Sequence, residues 1–475
     1  MRYVSTRGGA PPLLFPDALL TGLAPDGGLY VPETWPQLPP LVELADLDYP
    51  QLAARVMWPF VTDGGDRPDG DEGYAEITRS DFESIVEEAY ASFDVPEVCP
   101  VRPVGDLWLM ELFHGPTLAF KDVALQLVGR LFDHVLTARG ATVTILGATS
   151  GDTGSAAMSA FGGLEHTECV ILFPDGRTSE VQRRQMTTIE DANCHAVAVS
   201  GTFDDCQDLV KAAFGDAEFR DEVHLSAVNS INWGRVMAQI VYYVWAHLRV
   251  SAHDSAVSFC VPTGNFGNVL AGWAAKQMGL PVDRLIVASN RNDILTRALT
   301  RGDLSVREVV PTTSPSMDIQ VSSNFERLLF EVLGRDGSAV TEMLRQFRSE
   351  GSVEVPAELL SALQADFDAG CLDDARVAAV IDLMHEEHDL LVDPHTAVGL
   401  GVAGPFAEHL DSPVVCLATA HPAKFPDAVF DATGVRPGLP ARLRGIFERP
   451  ERMHHVPDDL QAVEDLVRRV LAVRG

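Results

Sequence analysis

One pattern recurs along most of this chain and restricts its fold more than any other feature: short, nearly continuous apolar runs alternating with helical stretches. ATVTILG (141–147), CVILFP (169–174), CHAVAVSG (194–201), AVSFCVP (256–262), RLIVASN (284–290) and PVVCLATA (413–420) are such runs. Runs this short with so few polar positions read as strands covered on both faces, and strands alternating with helices build a parallel α/β sheet. In such sheets ligands bind outside the carboxyl ends of the strands, so the turns that follow these runs are the places to look for chemistry.

Two regions depart from the rhythm. Before about residue 97 the chain reads as a small helical domain, with the turn Pro25-Asp26-Gly27-Gly28, an acidic TDGGDRPDGDEG stretch (62–73) read as an exposed loop, and a helix over 81–93. Residues from about 301 to 374 are mostly amphipathic helix and read as an insertion. The length alone suggests two to four domains.

The formal charge of −32 argues against nucleic acid or an anionic membrane as a partner, because both need a basic surface. No apolar run reaches the length of a membrane span; the longest, around Ile240 to Trp245, is flanked by Arg235, His247 and Arg249 and reads as a core helix. The start lacks an apolar export segment, so a cytoplasmic protein is expected. Seven scattered cysteines with no CxxC pair read as buried free thiols, without a zinc site or disulfide framework.

Among the strand-end turns, ELFHGPTLAFKD (111–122) holds Lys121, one of only four lysines. Gly115-Pro116 and a capping Thr117 precede an apolar series at helical spacing, which puts Lys121 in the first turn of a helix. The helix dipole and burial would both depress its pKa and make it a nucleophile toward an aldehyde; the alternative is a surface lysine with its stem laid on apolar neighbours. GATSGDTGSAA (147–157) offers the amides and hydroxyls of Thr149, Ser150, Gly151 and Thr153 to a carboxylate, with Asp152 as an acid set inside an anion cradle. In VPTGNFGN (261–268), Gly264, Asn265, Phe266, Gly267 and Asn268 can wrap a phosphate with backbone donors. Neither turn matches the dinucleotide or P-loop glycine pattern, which counts against NAD and ATP. Thr419, His421 and Lys424 follow another strand, and Arg235 opens a long helix. His385, His388 and His395 read better as a helix end and loop than as metal ligands.

These tracts carry a resemblance to a known family. YVSTRG (3–8), GLAPDGGLYVPE (22–33), ELFHGPTLAFKD, GATSGDTGSAA, NSINWGR (229–235), VPTGNFGN, SPSMDIQVSSNFERLLFE (314–331), DPHTAVG (393–399) and ATAHPAKF (418–425) stand in one order along nearly the whole chain. Together they resemble threonine synthase, a pyridoxal-phosphate enzyme of fold type II, in the longer form with an N-terminal domain. The resemblance implies two parallel-sheet α/β domains: a large cofactor-binding one from 98–130 and 230–475, with the helical insertion, and a small mobile one from 131–229, beside the N-terminal domain 1–97.

By position it makes Lys121 the Schiff-base lysine and Gly264 to Asn268 the loop for the cofactor phosphate. Thr419 would face the pyridine nitrogen, Asp152 would lie near the cofactor's 3′-oxygen, and Thr149, Ser150, Gly151 and Thr153 would take the substrate carboxylate. Arg235, Lys424 and Ser150, with Asn232 nearby, are the nominees for the substrate phosphate. The implied reaction, that of a carbon–oxygen lyase acting on phosphates, is O-phospho-L-homoserine plus water giving L-threonine plus phosphate, the last step of threonine biosynthesis. The rivals are a related lyase releasing 2-oxobutyrate from the same substrate and a non-catalytic paralogue that binds ligand. A monomer or homodimer is expected.

Overall fold

The computed structural model describes residues 1–64, 75–227, 229–252 and 255–474. The acidic stretch 62–73 lies outside these residues from 65 onward. Two parallel sheets organise the rest. The larger runs in the order Phe367–Cys371, Val282–Ser289, Val257–Pro262, Val414–Ala418, Leu107–Glu111, Val101–Val104, and every pair is parallel except the last. The second runs His454–Pro457, Cys194–Ser200, Thr167–Pro174, Val143–Ala148, Leu225–Ser226, all parallel. Strands such as VSFCVP and TECVILFP are buried at every position, as the near-continuous apolar runs require.

Joining the two sheets is the helix Trp233–Val250, buried from Trp233 to His247 and so apolar around most of its circumference. Among the described residues no helix is long and apolar enough to cross a membrane. The rings of Tyr3, Trp35 and Phe60 pack on Trp233 at centroid distances of 5.7–6.0 Å, which ties the N-terminal region into the same core. To its helices that region adds an antiparallel sheet of Leu13–Leu14, Arg2–Ser5 and Tyr30–Pro32.

Two placements differ from the sequence reading. Residues 454–474, grouped there with the large domain, complete the second sheet: His454–Pro457 pairs with Cys194–Ser200, and Val463, Leu466 and Val467 of the last helix pack with Val199, Cys206 and Leu209. That strand edge would otherwise present unpaired amides and carbonyls to water. Within the helical insertion, Phe367–Cys371 becomes the edge strand of the larger sheet. All seven cysteines are free thiols; Cys371 is exposed and Cys194 half-buried, the other five buried.

Candidate active site

The carboxyl ends of four strands converge. The segment after Leu107–Glu111 is stitched to the turn after Val414–Ala418: Phe120 N donates to Thr419 O at 2.9 Å and His421 N to Leu118 O at 3.0 Å. Lys121 and Thr419 are thereby fixed relative to each other. Thr117 does not cap the helix. Phe120 occupies the cap position without a side-chain bond, while Thr117 N and Oγ1 both donate to the carboxylate of Asp122, at 2.7 and 2.6 Å. A β-carbon on Gly115 would lie 2.4 Å from Asp122 Cβ, so the turn depends on glycine there.

Lys121 is the first residue of the helix Lys121–Arg139 and only 7% exposed, which removes the surface-lysine alternative. Burial lowers its pKa; Asp152 opposes that, and the charges of Lys424 and Arg235 add to the lowering. Its Nζ lies 3.2 Å from Asp152 Oδ2.

Asp152 comes from the other sheet, as the first residue of the helix Asp152–Phe161. Its carboxylate pairs with Lys424 Nζ at 2.9 Å and accepts Gln182 Nε2 at 2.9 Å and Ser316 Oγ at 3.4 Å. Burial by itself would raise this pKa, but the charges of Lys424 and Lys121, with the Gln182 bond, hold it well below the usual carboxylate range. The acid inside the anion cradle is therefore ionised and is the point where the two sheets meet.

The fit around it explains the glycines of the cradle. Gly151 has φ +142°, and a β-carbon there would lie 2.4 Å from Gln182 Cδ. Thr149 Oγ1 accepts the amides of Gly151 and Gly154, both at 2.9 Å, and so folds the turn. Ser150 and Thr153 are half-buried beside it, where the first amides of the helix have no intrahelical acceptor.

Two of the nominated substrate contacts have other roles here. Lys424 is fully buried, with its ammonium given to Thr117 O at 2.7 Å and to Asp152. Asn232 uses both ends of its amide: Oδ1 accepts Gly234 N at 2.9 Å to cap the helix Trp233–Val250, and Nδ2 donates to Leu19 O at 2.7 Å. The sequence places such residues in the right turn but does not reveal which neighbours have already taken their hydrogen bonds. Arg235, by contrast, is buried in the first turn of that helix, close enough to Lys121 to influence it, and burial lowers its own pKa to about 10.

The glycine loop after Val257–Pro262 leads into the helix Gly267–Gln277 through Phe266, which has φ +63° and buries its ring against Phe325 and Phe367. A β-carbon on Gly264 would lie 2.6 Å from Ser316 O. Asn268 Oδ1 is held by the hydroxyls of Tyr242 and Tyr243 at 2.5 and 2.9 Å, which leaves its buried Nδ2 as a donor without a partner. Asn265 is exposed at the tip of the loop.

Sequence reasoning missed Gln182, Ser316 and His395 as parts of the site. His395 Nδ1 lies 2.7 Å from Asp393 Oδ2, and its Nε2 accepts Ser316 N at 3.3 Å, so the ring proton sits on Nδ1. His385 and His388 end a separate helix, Asp374–His388. Among the described residues no three His, Cys, Asp or Glu side chains are grouped to hold a metal ion. The SPSM and DPHTA tracts were the available signals, but nothing in their spacing reveals that they meet at Asp152.

Comparison with known proteins agrees with this arrangement. Three family models match in succession: "Threonine synthase N terminus" over residues 2–90, "Pyridoxal-phosphate dependent enzyme" over 100–346 and "Threonine synthase, C-terminal" over 396–467. The threonine synthase of Pseudomonas aeruginosa is 49% identical over 471 residues, covering 98% of each chain, and that of Corynebacterium glutamicum is 42% identical over 485 residues, again covering 98% of each. The crystal structure of pyridoxal-phosphate-bound threonine synthase from Brucella melitensis superimposes with a TM-score of 0.93 at 50% identity, covering 99% of each chain. Likeness of this extent, running through the N-terminal region, both sheets and the C-terminal crossover, means that the chain belongs to the threonine synthase family of pyridoxal-phosphate-dependent, fold type II enzymes.

Proposed function

We propose that this chain converts O-phospho-L-homoserine and water to L-threonine and phosphate, using pyridoxal phosphate held between the two sheets. The observation that carries the reading is the setting of Lys121: a buried amine of lowered pKa between a phosphate cradle and an anion-binding helix start. The residues fit the cofactor. The unpartnered Nδ2 of Asn268 and the helix start at Gly267 suit its phosphate, and Thr419, at a neighbouring strand end, suits its ring nitrogen. When bound, the cofactor supplies an aldehyde that joins to an amine and a ring that withdraws electrons from the attached carbon.

The protein's own groups do the rest. The amides and hydroxyls of Thr149, Ser150, Gly151 and Thr153 bind the substrate carboxylate, and Arg235 with Ser150 receives its phosphate. Lys121, once its amine is free, removes the Cα proton and then a Cβ proton of the substrate. Phosphate departs from Cγ, a proton returns to Cγ to make the methyl group, water adds its hydroxyl at Cβ, and Lys121 returns a proton to Cα. A hydroxyl at Thr419, where an acid would protonate the ring, makes a weaker electron sink and favours control over the course of the reaction. Every group named comes from one chain, which fits a monomer or a homodimer alike. The cytoplasm is its proposed location.

Incubation with O-phospho-L-homoserine, scoring phosphate, threonine and 2-oxobutyrate together, tests the reading. Equal phosphate and threonine are expected. Phosphate with 2-oxobutyrate would make it the related lyase, and no phosphate release would make it a binding paralogue.

The second sheet, with the TSGDT turn, is expected to close onto the larger one when the substrate carboxylate binds and so to exclude water. Opening has to break the contacts of Asp152 with Lys424 and Ser316. Crystal structures of the free and substrate-analogue-bound protein should differ by a rotation of this unit, and superimposable structures would contradict it.

A further inference from the structure

The segment Ser322–Arg327 lies in the insertion, a few residues after Ser316, yet it reaches both places where the proposed reaction puts a phosphate. Asn324 is wholly buried, and its Nδ2 donates to Asn265 O at 2.9 Å and to Ser230 O at 3.0 Å. One bond goes to the glycine loop Gly264–Asn268; the other goes to the turn that leads into Arg235. The backbone amide of Asn324 adds a third bond, to Asn265 O at 3.1 Å. Its neighbours repeat the pattern. Ser322 Oγ donates to Gly264 O at 2.8 Å, and Ser323 Oγ lies 3.2 Å from Ser230 Oγ and 3.4 Å from Asn265 Oδ1.

The orientation of the Asn324 amide is not arbitrary. Its Oδ1 accepts from Arg327 Nη1, so the two N–H groups must face the two carbonyls. Arg327 is itself anchored by neutral oxygens: Nε and Nη2 donate to Tyr30 O at 3.0 and 2.8 Å, and Nη2 also donates to Ile231 O at 2.6 Å. Among the described residues no carboxylate touches it; the charge of Glu326 acts on it, but that carboxylate is bonded to Arg7, and Arg327 is only 1% exposed. Burying a guanidinium with no carboxylate bonded to it is costly. A cation kept in that state beside two anion-binding turns contributes positive potential where a protein of net charge −32 needs it.

We propose that Asn324, oriented by Arg327, is a positioning residue that holds the cofactor-phosphate loop and the substrate-phosphate turn at a fixed separation. Two dianions in one pocket repel each other, and loops free to drift would bind one at the expense of the other. Tyr30 makes the N-terminal sheet part of the same device, because its carbonyl takes two of the guanidinium bonds. This inference rests on the reading that the substrate carries a phosphate received near Arg235.

The test is Asn324→Ala, measured in three ways on purified full-length protein: the dissociation constant of pyridoxal phosphate after apo-protein reconstitution, the phosphorus NMR resonance of the bound cofactor, and KM against kcat for O-phospho-L-homoserine. Losing the amide leaves two carbonyls and a guanidinium short of partners, so both the dissociation constant and KM should rise by about fivefold to a hundredfold. The resonance should shift or broaden, and kcat should fall less than KM rises. A lower thermal midpoint with all three readouts unchanged would reduce Asn324 to a structural cap and overturn the proposal. Weaker cofactor binding with an unchanged KM would overturn the link to the second loop. Should Asn324→Ala not fold, Ser323→Ala removes only the hydroxyl shared by Ser230 and Asn265; the same two constants should move in the same direction by a smaller factor, and unmoved constants would overturn the proposal. Wild-type protein that takes up the cofactor but leaves O-phospho-L-homoserine intact would refute the proposed function, while the cofactor constant and the resonance would still decide this inference.

Discussion

Lys121→Ala abolishes turnover, because one side chain both joins the cofactor and carries the protons. Positioned proton transfer alone contributes roughly 10²- to 10⁴-fold, and the covalent anchor is lost in addition. No other lysine can substitute. Lys211 is exposed beside Asp208, Lys276 is paired with Asp366 at 2.8 Å, and Lys424 is fully buried against Asp152 and Thr117 O. Borohydride reduction of the holoenzyme followed by peptide mapping should place the cofactor label on Lys121. Label on any of the other three would overturn the assignment. The variant should still fold, since Lys424 continues to balance Asp152.

Asp152→Ala has the second largest expected effect. It leaves the ammonium of Lys424, which has no exposure to solvent, with Thr117 O as its remaining acceptor. Breaking a buried pair by removing one partner costs about 3 to 5 kcal/mol, so a large loss of thermal stability and of cofactor affinity is expected. Asp152→Asn keeps the volume and one acceptor oxygen and should be milder on both.

The pH dependence separates charge from shape. The pKa of Asp152 is depressed in the folded protein, so its stabilisation is complete above the ordinary carboxylate pKa of about 4 and is lost only as pH falls below that range. The stability gap between wild type and Asp152→Asn should therefore stay constant near neutral pH and narrow only in strong acid. The titration of the bound cofactor's visible absorption band should also move in Asp152→Asn, because a nearby carboxylate favours a protonated cationic partner and an amide does not. An unchanged titration would mean that Asp152 only structures its turn.

Asp152 also illustrates how far the sequence reaches. Its turn, the strand before it and the helix after it were legible, because an apolar run followed by glycines and small residues is a local pattern. That Gln182, Ser316 and Lys424 all approach the same carboxylate was not legible. These residues lie 30 to 272 positions away, and local patterns carry no record of such contacts.

The sequence by itself determined the parallel α/β class, the placing of Lys121 in a helix's first turn and the glycine cradles at strand ends, all consequences of periodicity and of glycine chemistry within a few residues. Only the tertiary structure decided that residues 454–474 return to the second sheet, that Lys424 and Asn232 are already committed, and that Asn324 and Arg327 join two distant loops. The physical reason is that a buried polar group must find a partner wherever the packed chain supplies one. Which partner it finds is a property of the assembled core.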